Sequence, residues 1–151
     1  MKKGIKRFHE NETMGSLLTM AIHDVSDQVK KGIILDMDNW IAWTWDKKLK
    51  KEKPCKACLA GCALLNGKLD VSDAVENPSV KAMIDSLDCM RLGTWYIAYS
   101  RFYNTNPFEA TEKILGRLPK KCWHGEIVGK NRVEFLKIMK KIAGVLIKNK
   151  I

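Results

Sequence analysis

Three cysteines, Cys55, Cys58 and Cys62, fall within the stretch PCKACLAGCALLNG. Thiolate sulfur is a good zinc donor, and a structural zinc site takes four Cys or His ligands at the corners of a tetrahedron, usually supplied as two close pairs. Cys55 and Cys58 make one C-x-x-C pair, and Cys122 and His124, around Trp123, could complete the set. The spacing of that second pair is not that of the common fingers and ribbons, so zinc stands as an alternative beside the leading expectation of no cofactor. A C-x-x-C pair at a helix N-terminus can also carry thiol redox chemistry, because the helix dipole lowers the first thiol's pKa. That chemistry belongs to a strand-then-helix setting, and no such strand signal is visible here. The third reading is packing: on a helix, Cys58, Cys62 and Leu65 share a face as small apolar groups, and Ala57, Ala60, Gly61 and Ala63 keep the helix thin enough for another backbone to approach closely. Packing is the reading the residue types favour.

Nothing else in the chain assembles a reaction. His9, His23 and His124 are scattered. His23 with Asp24 and Asp27 could form an acid-base group on one helix, but a solvated helix edge accounts for the same residues. On a helix Cys122 and His124, two positions apart, point away from each other. Phosphate loops, nucleophile elbows and H-E-x-x-H motifs are missing. An enzyme is not expected.

The basic residues cluster, and the formal net charge of +10 suits polyanions or acidic surfaces as partners. One cluster is Lys47, Lys48, Lys50, Lys51, Lys53 and Lys56; a second is Lys120, Lys121, Lys130 and Arg132; a third is Lys137, Lys140, Lys141 and Lys148. Lysine outnumbers arginine in them, which favours contact with a phosphate backbone or a carboxylate rim over the reading of base edges. Beside the first cluster stand Trp40, Trp43 and Trp45. Exposed, they would stack on bases or anchor a protein partner; their large apolar area favours burial in the core.

The elements that must position these residues read as helices. Leu17, Leu18, Ala21, Ile22, Val25 and Val29 recur at steps of three and four, closing at Gly32. The tryptophan segment is expected to be a short helix, since Trp40 and Trp43 share a helical face, although Trp43 and Trp45 would share a strand face. The lysine run, about 46–54, has the composition of a loop. Pro54 then suits the first turn of a helix that runs through Leu65 and stops at Asn66-Gly67. Asn77-Pro78 and Asn106-Pro107 are start signals for further helices, with Val80, Met83, Ile84, Leu87 and Met90 lining the first. Another helix is expected from Thr94 to Tyr103. An irregular connection over about 119–130 leads to a last helix from Asn131 to Lys148, apolar at Val133, Phe135, Leu136, Ile138, Met139, Ile142, Val145 and Leu146. About six helices in one compact all-α domain is the expected fold, and 151 residues are enough to bury a single core. No apolar run is long enough to span a bilayer, an odd number of cysteines argues against a complete disulfide framework, and a cytoplasmic location is expected.

The succession DMDNWIAW, PCKACLAGCALL and MRLGTW resembles small uncharacterised accessory proteins of tailed bacteriophages and their hosts, in which a tryptophan segment precedes a C-x-x-C-[LI]-A-G-like helix. The match covers the middle third of the chain, with Lys56 and Cys62 standing where those proteins typically have Gly-Thr or His. The resemblance brings no catalytic role. It implies an accessory protein of a phage, of the kind that adjusts host metabolism or host defence. With no catalytic motif and with clustered lysines, the leading expectation is a non-enzymatic protein that binds a host macromolecule in the cytoplasm of the infected bacterium and inhibits or redirects it. Lys47, Lys48, Lys50, Lys51, Lys53 and Trp45 are then the candidate contacts to an acidic host protein or a nucleic-acid backbone. Two other readings stay open. One is a sequence-independent DNA or RNA binder using Lys120, Lys121, Lys130, Arg132, Lys137 and Lys141; the other is a helical module stabilised by zinc at Cys55, Cys58, Cys122 and His124.

Overall fold

A threonine begins the first helix and a glycine ends it. In the computed structural model, which describes residues 7, 8, 13–78, 80, 81, 84, 87 and 125–150, α1 runs Met14–Lys30. The Thr13 hydroxyl accepts the Ser16 N–H at 3.1 Å, filling one of the bonds a helix start leaves open. At the other end Gly32 takes φ +95°, and the N–H groups of Gly32 and Ile33 return to the carbonyls of Val29 and Gln28, the reciprocal pair of a Schellman stop. Leu17, Leu18, Ala21, Ile22 and Val25 are buried as the periodicity predicts.

The chain beyond Gly32 departs from an all-α fold. Strands β1 (Ile34–Leu35), β2 (Ile41–Asp46) and β3 (Lys51–Ala57) form a mixed sheet in the order β1-β3-β2. β3 is central: it pairs parallel with β1, Ile34 opposite Lys56, and antiparallel with β2 across a hairpin. Beyond β1, Glu126 makes a single antiparallel bridge to Asp36, and Ile127 donates its N–H to the Leu35 carbonyl at 2.8 Å. Part of the expected irregular connection therefore runs alongside the sheet. The expected tryptophan helix is strand β2, and the expected loop over 46–54 is a hairpin turn plus the first half of β3.

Pro54 does not start a helix; it sits inside β3. Ala42 faces Lys56 while Trp43 faces Pro54, so Cys55 is the extra residue of a bulge. A bulge interrupts the ladder, and a residue without an N–H is tolerated there in a strand that is otherwise central. Helix α2 is correspondingly shorter, Leu59–Asn66, with Cys58 as its N-cap. A short helix that the sequence reading missed, α3 (Val71–Glu76), is closed at its start by Asp70 and Asp73, each accepting the other's backbone N–H. Asn77 does cap a helical start at Pro78: its side chain accepts from Val80 N–H at 3.3 Å, and Val80, Ile84 and Leu87 are buried. The last helix, α4, spans Gly129–Lys148 and buries Phe135, Met139, Ile142, Val145 and Leu146, while Val133 faces solvent. The helices expected at Thr94 and at Asn106-Pro107 lie outside the described residues.

α1 packs against both α2 and α4, and its apolar stripe joins theirs in one core with Leu35, Met37, Ala57 and Ile127 from the strand region. The β2–β3 hairpin extends away from this core, as the exposure of Trp43, Thr44, Trp45 and Lys47 through Lys53 shows.

Candidate functional site

The hairpin carries exposed aromatic residues and most of the first lysine cluster. Asp46 builds its turn. The carboxylate accepts the backbone N–H groups of Lys48 at 2.9 Å and Leu49 at 3.1 Å, and Lys53 pairs with it at 3.4 Å. The Leu49 amide, with help from Lys48 and Lys53, holds the Asp46 carboxyl below the usual range. Lys50 closes the turn in the left-handed region at φ +50°. Lys47, Lys48, Leu49 and Lys50 are thereby presented at an exposed tip.

Strand alternation then sorts the rest of the candidate set. Trp43 and Trp45, two apart, share a face with their cross-strand neighbours Pro54 and Glu52. Lys51 and Lys53 stand opposite Asp46 and Thr44 on the other face. Trp43 is 49% and Trp45 58% exposed. Burial, the favoured reading of these two side chains, is overturned; of the three clustered tryptophans only Trp40 packs against the core, with the Lys81 ammonium 5.0 Å from its ring centre. Lys56 is drawn back toward the body by Glu126 at 3.1 Å, and that hydrogen bond and charge raise its pKa.

The cysteines mark the joint between hairpin and body. Cys55 lies in β3 with its thiol 3.4 Å from the Ala42 carbonyl. Cys58 caps α2, its sulfur accepting the Gly61 N–H at 3.3 Å, while its own N–H is shared between the carbonyls of Asn39 at 2.7 Å and Trp40 at 3.3 Å. Cys58 and Cys62 are buried, and burial pushes the Cys62 thiol far up. A Cβ on Gly61 would lie 1.6 Å from the Trp40 carbonyl oxygen. The close backbone approach foreseen for Gly61 is thus present, made to the chain entering β2. Cys122 and His124 lie outside the described residues. Among the described residues no group of three or more His, Cys, Asp or Glu side chains converges as metal ligands would.

Asp24 is not part of a solvated helix edge. It is buried, and Arg7 Nη2 donates to both its oxygens at 2.9 Å, while Asn66 Nδ2 donates to Oδ1 at 2.6 Å. Desolvation raises its pKa, with Asn66 and Arg7 opposing. Asn66 also reaches Asp27, tying the end of α2 to α1. His23 instead borders a shallow apolar groove of about 210 Å³ between α1 and α4, with Thr19, Lys140 and Ile147. His23 and Asp24 serve different surroundings and do not form an acid-base pair. Sequence reading overlooked Arg7 and took Asn66 only as a turn residue; neither carries a local signal.

Along α4, Lys130, Lys137, Lys140, Lys141 and Lys148 are exposed and Arg132 is half-buried; Lys120 and Lys121 lie outside the described residues. No described helix is long and apolar enough to cross a membrane. Comparison with protein-family models, with curated proteins and with solved structures finds no match to the chain.

Proposed function

We propose that this chain is a non-enzymatic binding protein, of the phage accessory kind its sequence resembles, whose hairpin engages an acidic host protein in the bacterial cytoplasm and blocks or redirects it. The observation that carries the reading is the pair Trp43 and Trp45, half exposed side by side on β2 beside a lysine tip. A tryptophan left in water forgoes roughly 1.5–3 kcal/mol of burial. Contiguous exposed aromatics rimmed by charge are the composition of interface anchors.

Nucleic acid is the second reading, because exposed aromatics beside lysines can also stack bases against a neutralised backbone. Glu52, directly opposite Trp45, repels phosphates drawn across the tryptophan face, whereas an acidic protein can keep its carboxylates at the lysine tip and lay apolar side chains on that face. The test is capture from bacterial lysate with the tagged full chain, with and without nuclease, beside a Trp43→Ala/Trp45→Ala variant. A host protein retained after nuclease and lost with the double variant is the expected result. Partners that vanish with nuclease would refute the protein reading in favour of nucleic acid.

A further inference from the structure

We infer that the outer edge of β2 receives an extended acidic segment of the partner as an added strand. This inference rests on the partner-binding reading above and specifies how the partner is held. Among the described residues, β2 pairs on one side only, with β3, so alternate residues of its six turn their N–H and C=O groups outward. Edge strands are ordinarily protected by a lysine, a proline, an inward charge or extreme shortness. Here the proline and the lysines are on β3, the central strand, whereas β2 reads IAWTWD with its one charge, Asp46, turned to the hairpin tip and Lys53.

An added strand takes its affinity from main-chain hydrogen bonds and its selectivity from alternate side chains. Every second side chain of the incoming segment would lie beside Trp43 and Trp45, and one end of it would reach Lys47, Lys48 and Lys50. Carboxylates suit that end. A second copy of this chain is a poorer occupant, because each copy carries a formal charge of +10.

The probe is a capped eight-residue peptide alternating valine and glutamate, added to the full chain at low salt. Tryptophan fluorescence reports contact, and amide hydrogen exchange over 41–46 reports strand addition. Two further peptides carry N-methyl groups on the odd or on the even residues. Strand addition uses only one of those sets, so one methylated peptide should weaken at least about tenfold and the other stay within about twofold. A fluorescence change with equal tolerance of both methylated peptides and no slowing of exchange in β2 would overturn the edge while leaving the hairpin as the binding site. No response to any peptide, or a response only to oligothymidylate, would overturn both readings.

Discussion

Replacing Gly61 by alanine should destabilise the protein strongly, although helix propensity alone predicts the opposite. In the middle of a helix alanine is favoured over glycine by about 1 kcal/mol. Against this, the new Cβ would sit 1.6 Å from the Trp40 carbonyl oxygen, where real Cβ contacts below 3.0 Å essentially do not occur. The obstacle is backbone, which cannot rotate aside as a side chain can. Either α2 moves off the chain entering β2 or that chain shifts. Overpacking of this kind costs about 3 kcal/mol. Moving the two apart also strains the Cys58 N–H bond to the Asn39 and Trp40 carbonyls, adding about 1 kcal/mol. The net expectation is a loss of about 3 kcal/mol, read by urea unfolding followed by circular dichroism as a midpoint lower by roughly 1–2 M. Gly144 is the internal control: it lies inside α4 with nothing within 4 Å of a Cβ, so Gly144→Ala should stabilise by about 0.5–1 kcal/mol. If Gly61→Ala proved neutral or stabilising like Gly144→Ala, the close crossing would not exist and the reasoning would fall.

The same structure sets other outcomes. Trp43→Ala and Trp45→Ala should each cost about 1 kcal/mol or less in stability, whereas Trp40→Ala should cost about 3 kcal/mol; equal losses at all three by urea unfolding would contradict the exposure described. Burial makes the folded chain hold the Asp24 proton more firmly than the unfolded chain does, so its contribution to stability falls as pH rises from the ordinary value of 3.8 through the raised one. Asp24→Asn keeps an acceptor for Arg7 and Asn66 and should remove that fall, which urea titrations from about pH 3.5 to 7 would show as a flatter profile than the parent's; an unchanged profile would refute the shift. Under native conditions alkylation mapped by mass spectrometry should label Cys55 well before Cys62, whose thiol is buried and held protonated; equal rates would mean that α2 does not pack as described.

The helical parts of the fold were legible where the signal is local. The α1 periodicity, the Gly32 stop, the Asn77-Pro78 start and the α4 stripe each depend on residues within a turn or two of one another, and each appears as expected apart from the exposed Val133. The sheet was missed although β2 and β3 form a local hairpin and Trp43 and Trp45 carried a strand period, because β3 has a weak strand signal of its own and its pairing with β1 is distant in sequence. LKKEKP has little intrinsic strand preference; β3 is held by Trp43, Thr44 and Trp45 on one side and by Ile34 and Leu35 on the other. Pro54 gave a genuine helix-start signal that tertiary pairing overrode by placing it at a bulge. The capping pair Asp70 and Asp73 was present in the sequence as a local motif and could have been found.

The candidate site shows the same division. Composition marked out the aromatic and basic stretch but could not divide it, since division depends on whether the period is 3.6 or 2. With a helical period Trp40 and Trp43 share a face and Trp45 leaves it; with a strand period Trp43 and Trp45 stand together and Lys51 and Lys53 go to the reverse. The bulge at Cys55 matters here, because a single extra residue in β3 sets which of its side chains oppose the tryptophans. Were Cys55 paired in a regular ladder instead, Trp43 would face Cys55 and Trp45 would face Lys53, placing a cation where Glu52 now stands. The chemistry offered on the tryptophan face, apolar with a carboxylate inside it and lysines at its end, is therefore fixed by that one-residue register choice. Glu52→Lys would put the cation of the alternative register on the tryptophan face while leaving the pairing of β2 with β3 intact. Opposite Trp45 a lysine attracts phosphate where the carboxylate repels it, so oligothymidylate titration at low salt should register tighter binding than to the parent chain. Equal binding by the two chains would mean that Glu52 does not set the preference of that face, and the argument against nucleic acid would lose its support.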